Sequence, residues 1–287
     1  MRIVRSVADL RAALRAPRLQ ERSIGLVPTM GALHDGHLSL VERARRECDE
    51  VVVSLFVNPR QFNDAADLAA YPRDEDRDAR LAAEAGATLL FAPAVDEVYP
   101  DGFSTTVTVR GPLTETLEGE HRGREHFDGV ATVVVKLLNM AQPDVAFFGQ
   151  KDAQQALVIR RVVRDLDLPV RIQTVPTVRE PDGLALSSRN VHLNGADRDR
   201  ALALRAGLEA ARARVEAGER DAAAIAAAGR EAMLGHGVEP EYLAVVDPET
   251  LAPLQTVDGT ALVAVAARVG PTRLIDNLPV RAPAEAK

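Results

Sequence analysis

Two histidines three residues apart follow an apolar run near the start of the chain. The stretch VPTMGALHDGHL places His34 and His37 where a predicted strand gives way to a predicted helix. A helix N-terminus attracts phosphate, because its first backbone N–H groups are unpaired and its dipole end is positive. His34 and His37 are therefore candidates to hold one triphosphate, with a surface pair of histidines as the alternative. A zinc site is disfavoured, because no third ligand follows at a suitable spacing.

A lysine marks a second polar stretch, FFGQKDAQQ, which again follows an apolar run. This residue, Lys151, is one of only three lysines in the chain, the others being Lys136 and Lys287. A compact ammonium group neutralises phosphate as a point charge. Lys151 is thus a second candidate phosphate ligand, and a solvated surface lysine is the alternative.

Two hydroxyls stand beside a guanidinium group at Ser187, Ser188 and Arg189. Hydroxyl and guanidinium donors together hydrogen-bond phosphoryl oxygens. A helix cap would have the same sequence, so both interpretations stay open.

Three uncharged polar residues, Asn58, Gln61 and Gln155, accompany the stretches above. Amide side chains both donate and accept, which suits the hydroxyl and carboxylate groups of a small substrate. Taken singly, each is more typical of a loop residue than of a ligand contact.

An alternation of apolar runs and amphipathic stretches predicts the elements that position these residues. Strands are predicted at residues 24–28, 51–57, 88–91, 145–148 and 170–175. Helices are predicted at residues 38–48, 74–85, 128–140 and 153–166. Alternating strands and helices imply a parallel α/β sheet, which binds ligands at the carboxyl ends of its strands. The connection at residues 58–72 is long for such a fold and is interpreted as a mobile lid or an irregular surface loop.

The last third of the chain has a different pattern. Residues 195–235 are rich in alanine and predict two helices broken near Gly218, and short strands are predicted at 242–246, 261–266 and 273–275. This order is typical of a small α+β domain. We therefore expect a first domain at residues 1–177 and a smaller second domain at 178–287.

Composition excludes several classes of protein. Hydrophobic residues make up 46% and charged residues 27%, which is typical of a folded globular chain. The net charge of −7 disfavours nucleic acid and anionic membranes as partners. The single cysteine, Cys48, is interpreted as a small buried side chain. The N-terminus lacks the uninterrupted apolar core of a secretory signal, so we expect a cytoplasmic location.

Longer motifs resemble a known family. The tetrapeptide from His34 to His37 resembles the His-x-Gly-His signature of the nucleotidyltransferase superfamily. The strings PTMGALHDGH, FVNPRQF, YPRD, HFDGVATVVVKLL, FFGQKDAQQ and VPTVREPDGLALSSRN occur in the order seen in the pantoate-beta-alanine ligase family, and they cover most of residues 24–190. The resemblance implies a Rossmann-like parallel sheet domain, a second, smaller α+β C-terminal domain that closes as a lid, and a homodimer.

The same resemblance implies an activity. It is the ATP-dependent condensation of (R)-pantoate with beta-alanine through a pantoyl adenylate, with release of AMP and pyrophosphate. Mg²⁺ would accompany ATP, the co-substrate. Two alternatives stay open: a nucleotidyltransferase that keeps the nucleotide in its product, and an ATP-binding regulatory module without turnover. A tRNA ligase is disfavoured, because no basic extension is evident.

The resemblance also implies roles for individual residues. ATP would contact Met30, Gly31, Ala32, Leu33, His34, Asp35, Gly36, His37, Gly149, Gln150, Lys151, Asp152, Val178, Leu186, Ser187, Ser188 and Arg189. Pantoate would contact Asn58, Gln61, Val133, Val134 and Gln155, and Gln61 would also orient beta-alanine. His37 would be the proton donor or charge stabiliser, and the other catalytic residues would be His34, Lys151, Ser187, Ser188 and Arg189. One departure is Ala153, where the family usually has tyrosine.

The resemblance assigns no protein ligand of Mg²⁺. Four carboxylates at the start of the helix predicted over residues 74–85 are the candidates: Asp74, Glu75, Asp76 and Asp78. We interpret them as a solvated helix start, where acidic side chains are favourable.

Overall fold

The computed structural model describes residues 1–283 and divides them into two compact units. The first unit comprises Met1–Gln150 and Gln154–Pro176, and the second comprises Lys151–Ala153 and the chain from Thr177 onward. Residues 284–287, the end of the predicted second domain, lie outside the described residues.

The first unit contains a six-stranded sheet in which every neighbouring pair is parallel. Its strands are β1 (Arg2–Val4), β2 (Ile24–Thr29), β3 (Glu50–Leu55), β4 (Leu89–Phe91), β5 (Val145–Gly149) and β6 (Arg171–Val175). The spatial order is β1-β4-β3-β2-β5-β6. This arrangement confirms the predicted Rossmann-like class, and β1 is a strand that the pattern did not predict.

Helices cover both faces of this sheet. The helices of the first unit are α1 (Val7–Leu19), α2 (Asp35–Glu47), α3 (Ala65–Ala70), α4 (Glu75–Glu84), α5 (Val95–Val98), α6 (Pro112–Glu115), α7 (Glu118–Arg122), α8 (Arg124–Ala141) and α9 (Ala153–Asp165). Successive strand residues point to opposite faces: Leu26 and Phe148 join a core with α1 and α8, whereas Val27 and Phe147 join a core with α2. Each buried strand therefore lies between two layers of helices. Its sequence is apolar throughout because both of its faces are covered.

The connection at residues 58–72 is only partly irregular. It contains a 3-10 helix (Pro59–Gln61) and α3, which are capped by the side chains of Asn58 and Asp64. The description as an irregular loop is therefore wrong for these two short helices. None of the residues in them is buried.

The second unit has the α+β character predicted for it. Its long helices are α10 (Gly195–Glu216) and α11 (Ala222–Gly235), and its antiparallel sheet has the order β7 (Pro240–Val246), β8 (Thr260–Val269), β9 (Thr272–Arg281). The predicted strand at residues 273–275 is too short, because β9 continues through Pro279. Proline is tolerated there because β9 is an edge strand of this sheet. Across residues 1–283, no helix has both the length and the apolar character that a membrane crossing requires.

Candidate functional site

The order of the first sheet creates a crevice between β2 and β5. The chain proceeds from β2 to β3 on one side, whereas β5 and β6 lie on the other. Loops that follow β2 and β5 therefore leave in opposite directions, and open α/β sheets bind ligands at this switch point. The loop after β2 carries the histidine motif, and Gly149 ends β5.

The two histidines cap α2 and contact each other. His34 is the N-cap residue, and its Nδ1 accepts a hydrogen bond of 3.1 Å from the Gly36 N–H. His37 Nδ1 in turn accepts one of 3.4 Å from the His34 N–H. The ring centroids lie 4.1 Å apart at an angle of 36°. The pair thus forms a reciprocal capping box, with imidazoles in the roles usually played by a hydroxyl and a carboxylate.

This box selects the tautomer of each ring in its neutral form. A neutral imidazole accepts through one nitrogen and carries its proton on the other. Because Nδ1 accepts in both His34 and His37, each neutral ring carries its proton at Nε2. The sequence prediction that the two rings lie together is supported by this geometry, and their role stays a prediction.

The backbone between β2 and α2 turns sharply and is held by a buried carboxylate. Gly31 has φ +92° and Ala32 has φ +50°. The N–H groups of Ala32 and Leu33 each donate to Asp78 over 2.8 Å. The Asp78 side chain is buried, so its interpretation as part of a solvated helix start is wrong. Asp74 does cap α4, as that interpretation expects of a helix start.

Asn58 and Gln61 lie together after β3. Asn58 is only 1% exposed and its Nδ2 donates to Gln61 Oε1 over 3.0 Å and to the Gly129 carbonyl over 3.1 Å. The Tyr99 hydroxyl donates to Asn58 Oδ1 over 2.8 Å. His126 Nδ1 lies 2.7 Å from the Gln61 carbonyl oxygen. Asn58 therefore orients the amide of Gln61, the half-buried member of the pair.

Tyr99 and His126 are residues that the sequence analysis missed. His126 lies inside the family string HFDGVATVVVKLL, which was a usable signal. Tyr99 lies outside every motif, so no spacing marked it.

Other predicted pantoate residues lie on helices of the first unit. Val133 and Val134 on α8 are both buried in the core cluster that includes Phe148. Gln155 on α9 is half-buried. Its neighbour Gln154 is buried and donates to the backbone carbonyls of Leu113 and Thr116. Gln154 thus tethers the α6 region, and Gln155 is the member of this amide pair that is accessible.

Lys151 belongs to a short 3-10 helix, Gln150–Asp152, that follows β5. Its side chain is 17% exposed, and its Nζ lies 3.6 Å from Asp152 Oδ1. Asn277 on β9 donates to the Lys151 carbonyl over 3.0 Å. The sequence analysis missed Asn277, because no local pattern links positions so far apart in the chain.

In the second unit, Val178 and Leu186 face each other in a short hairpin. The Leu186 N–H donates to the Val178 carbonyl over 3.0 Å. Ser187 then caps a 3-10 helix, Ser188–His192, and its hydroxyl accepts from the Arg189 N–H over 3.3 Å. Of the two interpretations kept open for this motif, the cap is therefore present, and phosphate binding stays a prediction.

A polar network holds this hairpin. Asn190 Nδ2 donates to Glu180 Oε1 over 2.7 Å, and Arg198 pairs with Glu180 and Asp182 at 2.6 Å each. The Arg198 guanidinium holds the pKa of the Glu180 carboxyl below its usual range. Near neutral pH both carboxylates are therefore anions, and both are used in ion pairs with Arg198.

Metal binding by the protein alone is not supported in the described part of the chain. Among residues 1–283, no group of three or more histidine, cysteine, aspartate or glutamate side chains is placed to hold a metal ion.

Comparisons with known proteins identify the family of this chain. The sequence model described as pantoate-beta-alanine ligase matches residues 2–279. A pantothenate synthetase of Moorella thermoacetica is 52% identical over 279 residues, which cover 97% of this chain and 98% of that protein.

Solved structures give the same result. A crystal structure of pantothenate synthetase from Thermus thermophilus is similar with a TM-score of 0.91 and 53% identity, covering 97% of this chain and 99% of that one. A pantoate-beta-alanine ligase from Francisella tularensis, described as complexed with beta-gamma ATP and beta-alanine, has a TM-score of 0.78 and 33% identity, with 97% of each chain covered. By the family model that matches residues 2–279 and by its similarity to these relatives, the chain belongs to the pantoate-beta-alanine ligase family.

Proposed function

We propose that this protein condenses (R)-pantoate with beta-alanine, using ATP, through a pantoyl adenylate. The observation that carries the proposal is the histidine pair at the N-terminus of α2, beside the switch point between β2 and β5. A helix N-terminus with two imidazoles suits a phosphate chain. The family's description names pantoate and beta-alanine as substrates, and the Francisella relative is described as complexed with beta-gamma ATP and beta-alanine.

The reaction has two steps. The carboxylate of pantoate attacks the α-phosphorus of ATP, an acyl–phosphate bond forms, and pyrophosphate leaves. The amine of beta-alanine then attacks the acyl carbonyl, the amide forms, and AMP leaves as the amine loses a proton. No covalent bond to the enzyme is needed, so the protein acts by positioning and by stabilising charge.

Negative charge grows on the α-phosphoryl group and on the departing pyrophosphate. Donors and cations aimed at those oxygens stabilise the transition state. We assign this role to His34, His37, Lys151, Ser187, Ser188 and Arg189. The Nε2 protons of the two histidines are the donors that this role requires, and His37 is the proton donor or charge stabiliser.

The ATP contacts are assigned on the family resemblance. They are Met30, Gly31, Ala32, Leu33, His34, Asp35, Gly36, His37, Gly149, Gln150, Lys151, Asp152, Val178, Leu186, Ser187, Ser188 and Arg189. Pantoate is assigned to Gln61, Gln155, Val133 and Val134, with Asn58 acting through the Gln61 amide that it orients, and Gln61 also orients beta-alanine.

Mg²⁺ is proposed as the companion of ATP. It dehydrates reluctantly and usually takes phosphate oxygens and waters, with few protein carboxylates. When bound, the ion would neutralise phosphate charge.

Assembly and location are also proposals. We propose a homodimer in the cytoplasm, on the resemblance to the family and on the single cysteine. Light scattering coupled to gel filtration tests the assembly, and a mass near that of one 30.9 kDa chain would contradict the dimer.

The first experiment is pantoate-dependent exchange of labelled pyrophosphate into ATP, with Mg²⁺ present and beta-alanine absent. The proposal expects label in ATP only when pantoate is added, because adenylation is reversible before the amine arrives. Addition of beta-alanine should then release AMP. A folded protein that gives neither exchange nor AMP would overturn the proposal.

A further inference from the structure

The loop between β2 and α2 contains a turn of the kind that binds anions, and a carboxylate of the protein itself is bound there. We propose that Asp78 is a positioning residue for the reaction, which fills this turn and fixes the loop that holds His34 and His37. The inference rests on the proposed function, because it assumes that this loop binds ATP.

The contact is bidentate and buried. Asp78 Oδ2 accepts from the Ala32 N–H, and Oδ1 accepts from the Leu33 N–H, both over 2.8 Å. The Asp78 side chain is 1% exposed. Hydrogen bonds to an ionised acceptor are about twice as strong as neutral ones. Two backbone donors that no helix or strand satisfies are thus satisfied by one carboxylate from α4.

The backbone at this point has the shape of an anion nest. Successive N–H groups turn to one side where the chain passes through the left-handed region, and such turns hold anions. Gly31 at φ +92° and Ala32 at φ +50° produce that turn. The left-handed conformation is unfavourable for alanine, which has a Cβ, so an external contact is needed to keep it. Asp78 provides that contact.

Position 31 shows how closely the carboxylate fits. A Cβ added to Gly31 would lie 3.1 Å from Asp78 Oδ2 and 3.1 Å from Leu55 Cδ1. Glycine is therefore favoured twice, by its φ and by the approach of the carboxylate. A phosphate oxygen cannot reach the Ala32 and Leu33 N–H groups while Asp78 occupies them.

A purely structural ion pair explains the arrangement less well. Arg77 Nη1 lies 3.3 Å from Asp78 Oδ1, but the Arg77 side chain is 47% exposed. Surface-exposed pairs contribute little. The two loop amides lie closer to the Asp78 carboxylate, at 2.8 Å against 3.3 Å for Arg77, so its shortest contacts are directed at the loop.

The test compares Asp78→Asn with Glu84→Gln. Asparagine has the same size but offers one oxygen, and its NH₂ group faces the second amide donor. Glu84 lies at the exposed end of the same helix and serves as the matched control for loss of one charge. We expect Asp78→Asn to raise the KM for ATP in the exchange reaction about 10- to 100-fold. The KM for beta-alanine in the full reaction and the shape of the pH profile should not change, because Asp78 exchanges no proton with substrate.

Two outcomes would overturn the inference. One is kinetics for Asp78→Asn equal to those of Glu84→Gln; the other is an equal loss toward all three substrates, which would indicate general destabilisation. A wild-type protein without exchange would instead refute the proposed function. If Asp78→Asn does not fold, amide hydrogen exchange of the wild type decides: the Ala32 and Leu33 amides should be protected, and rapid exchange there would refute the contact.

Discussion

At this site, the side chains assigned to substrates are held in place by other groups of the protein. Gln61 is held by Asn58, and Asn58 is held by Tyr99. The histidine pair is held by its own backbone. Gln61 and the two histidines, which are assigned to substrates, are therefore each held by a hydrogen bond to another part of the protein. Precise positioning of a substrate requires such support.

At the residue scale, Lys151 gives the clearest prediction. Replacing Lys151 with alanine removes a positive charge from the phosphates, and loss of one preorganised electrostatic contact typically lowers turnover by about 10²- to 10³-fold. The measurement is kcat for AMP formation at saturating substrates.

The matched control for this variant is alanine at the exposed Arg80 on α4, which also removes one cation. Turnover of Lys151→Ala close to that of Arg80→Ala would contradict the role. Thermal melting of both variants separates loss of charge from loss of folding.

At the scale of elements, the position of Gln61 depends on close packing of its 3-10 helix against α8. A Cβ added to Gly129 on α8 would lie 2.1 Å from the Arg60 carbonyl oxygen and 2.8 Å from the Gln61 N. Both contacts are with backbone, which cannot rotate away. Glycine at position 129 therefore allows Gln61, which is assigned to pantoate, to lie close to α8.

Gly129→Ala should consequently displace Gln61. We expect the KM for pantoate to rise about 10- to 100-fold, since displacements near 1 Å have effects of that order, with a loss of stability of about 1–3 kcal/mol from overpacking. Steady-state kinetics and urea unfolding measure the two effects.

Gly195→Ala is the control, because an added Cβ there meets nothing within 4 Å. Its KM for pantoate should equal that of the wild type. A normal KM in Gly129→Ala as well would show that Gln61 does not bind pantoate or does not move.

Many of the strands and helices were predictable from the sequence. The strands at 24–28 and 145–148 and the helices after them follow from apolar periodicity, and all are present. Periodicity failed at β1, which has three residues and one buried side chain, and at β9, where Pro279 hid a ten-residue edge strand. Contacts between distant positions, such as Asp78 with Leu33, leave no periodic signal because they depend on the packing of separate elements.

At the scale of the whole molecule, two groups buried in the neutral form make the free energy of unfolding depend on pH in the alkaline range. Burial raises the pKa of the Cys48 thiol to about 11 and that of the Tyr99 hydroxyl to about 12. Cys48 is buried as predicted from the sequence. When the chain unfolds, both groups return to ordinary pKa values of about 8.5 and about 10.

The free energy of unfolding should therefore fall as the pH rises. The unfolded chain releases these protons first, so it is favoured above pH ~8.5, and a stabilisation from Cys48 of about 3 kcal/mol is lost by about pH 11. Urea unfolding followed by circular dichroism at about pH 8 and about pH 10.5 measures the fall.

Cys48→Ala removes the thiol and should show a smaller fall over the same interval, whatever its stability at the lower pH. An identical pH dependence in wild type and variant would contradict the assignment to Cys48.

The capping box at α2 has a practical consequence for mutagenesis. The Nδ1 atoms of His34 and His37 belong to the start of the helix, whereas the proposed chemistry uses Nε2. A serine and a glutamate at these positions would cap a helix in the ordinary way, so folding alone gives no reason for two imidazoles. Alanine at either position removes a cap and a candidate catalyst together, and its effect cannot be divided between them. Replacements that still cap are the ones that isolate the imidazole.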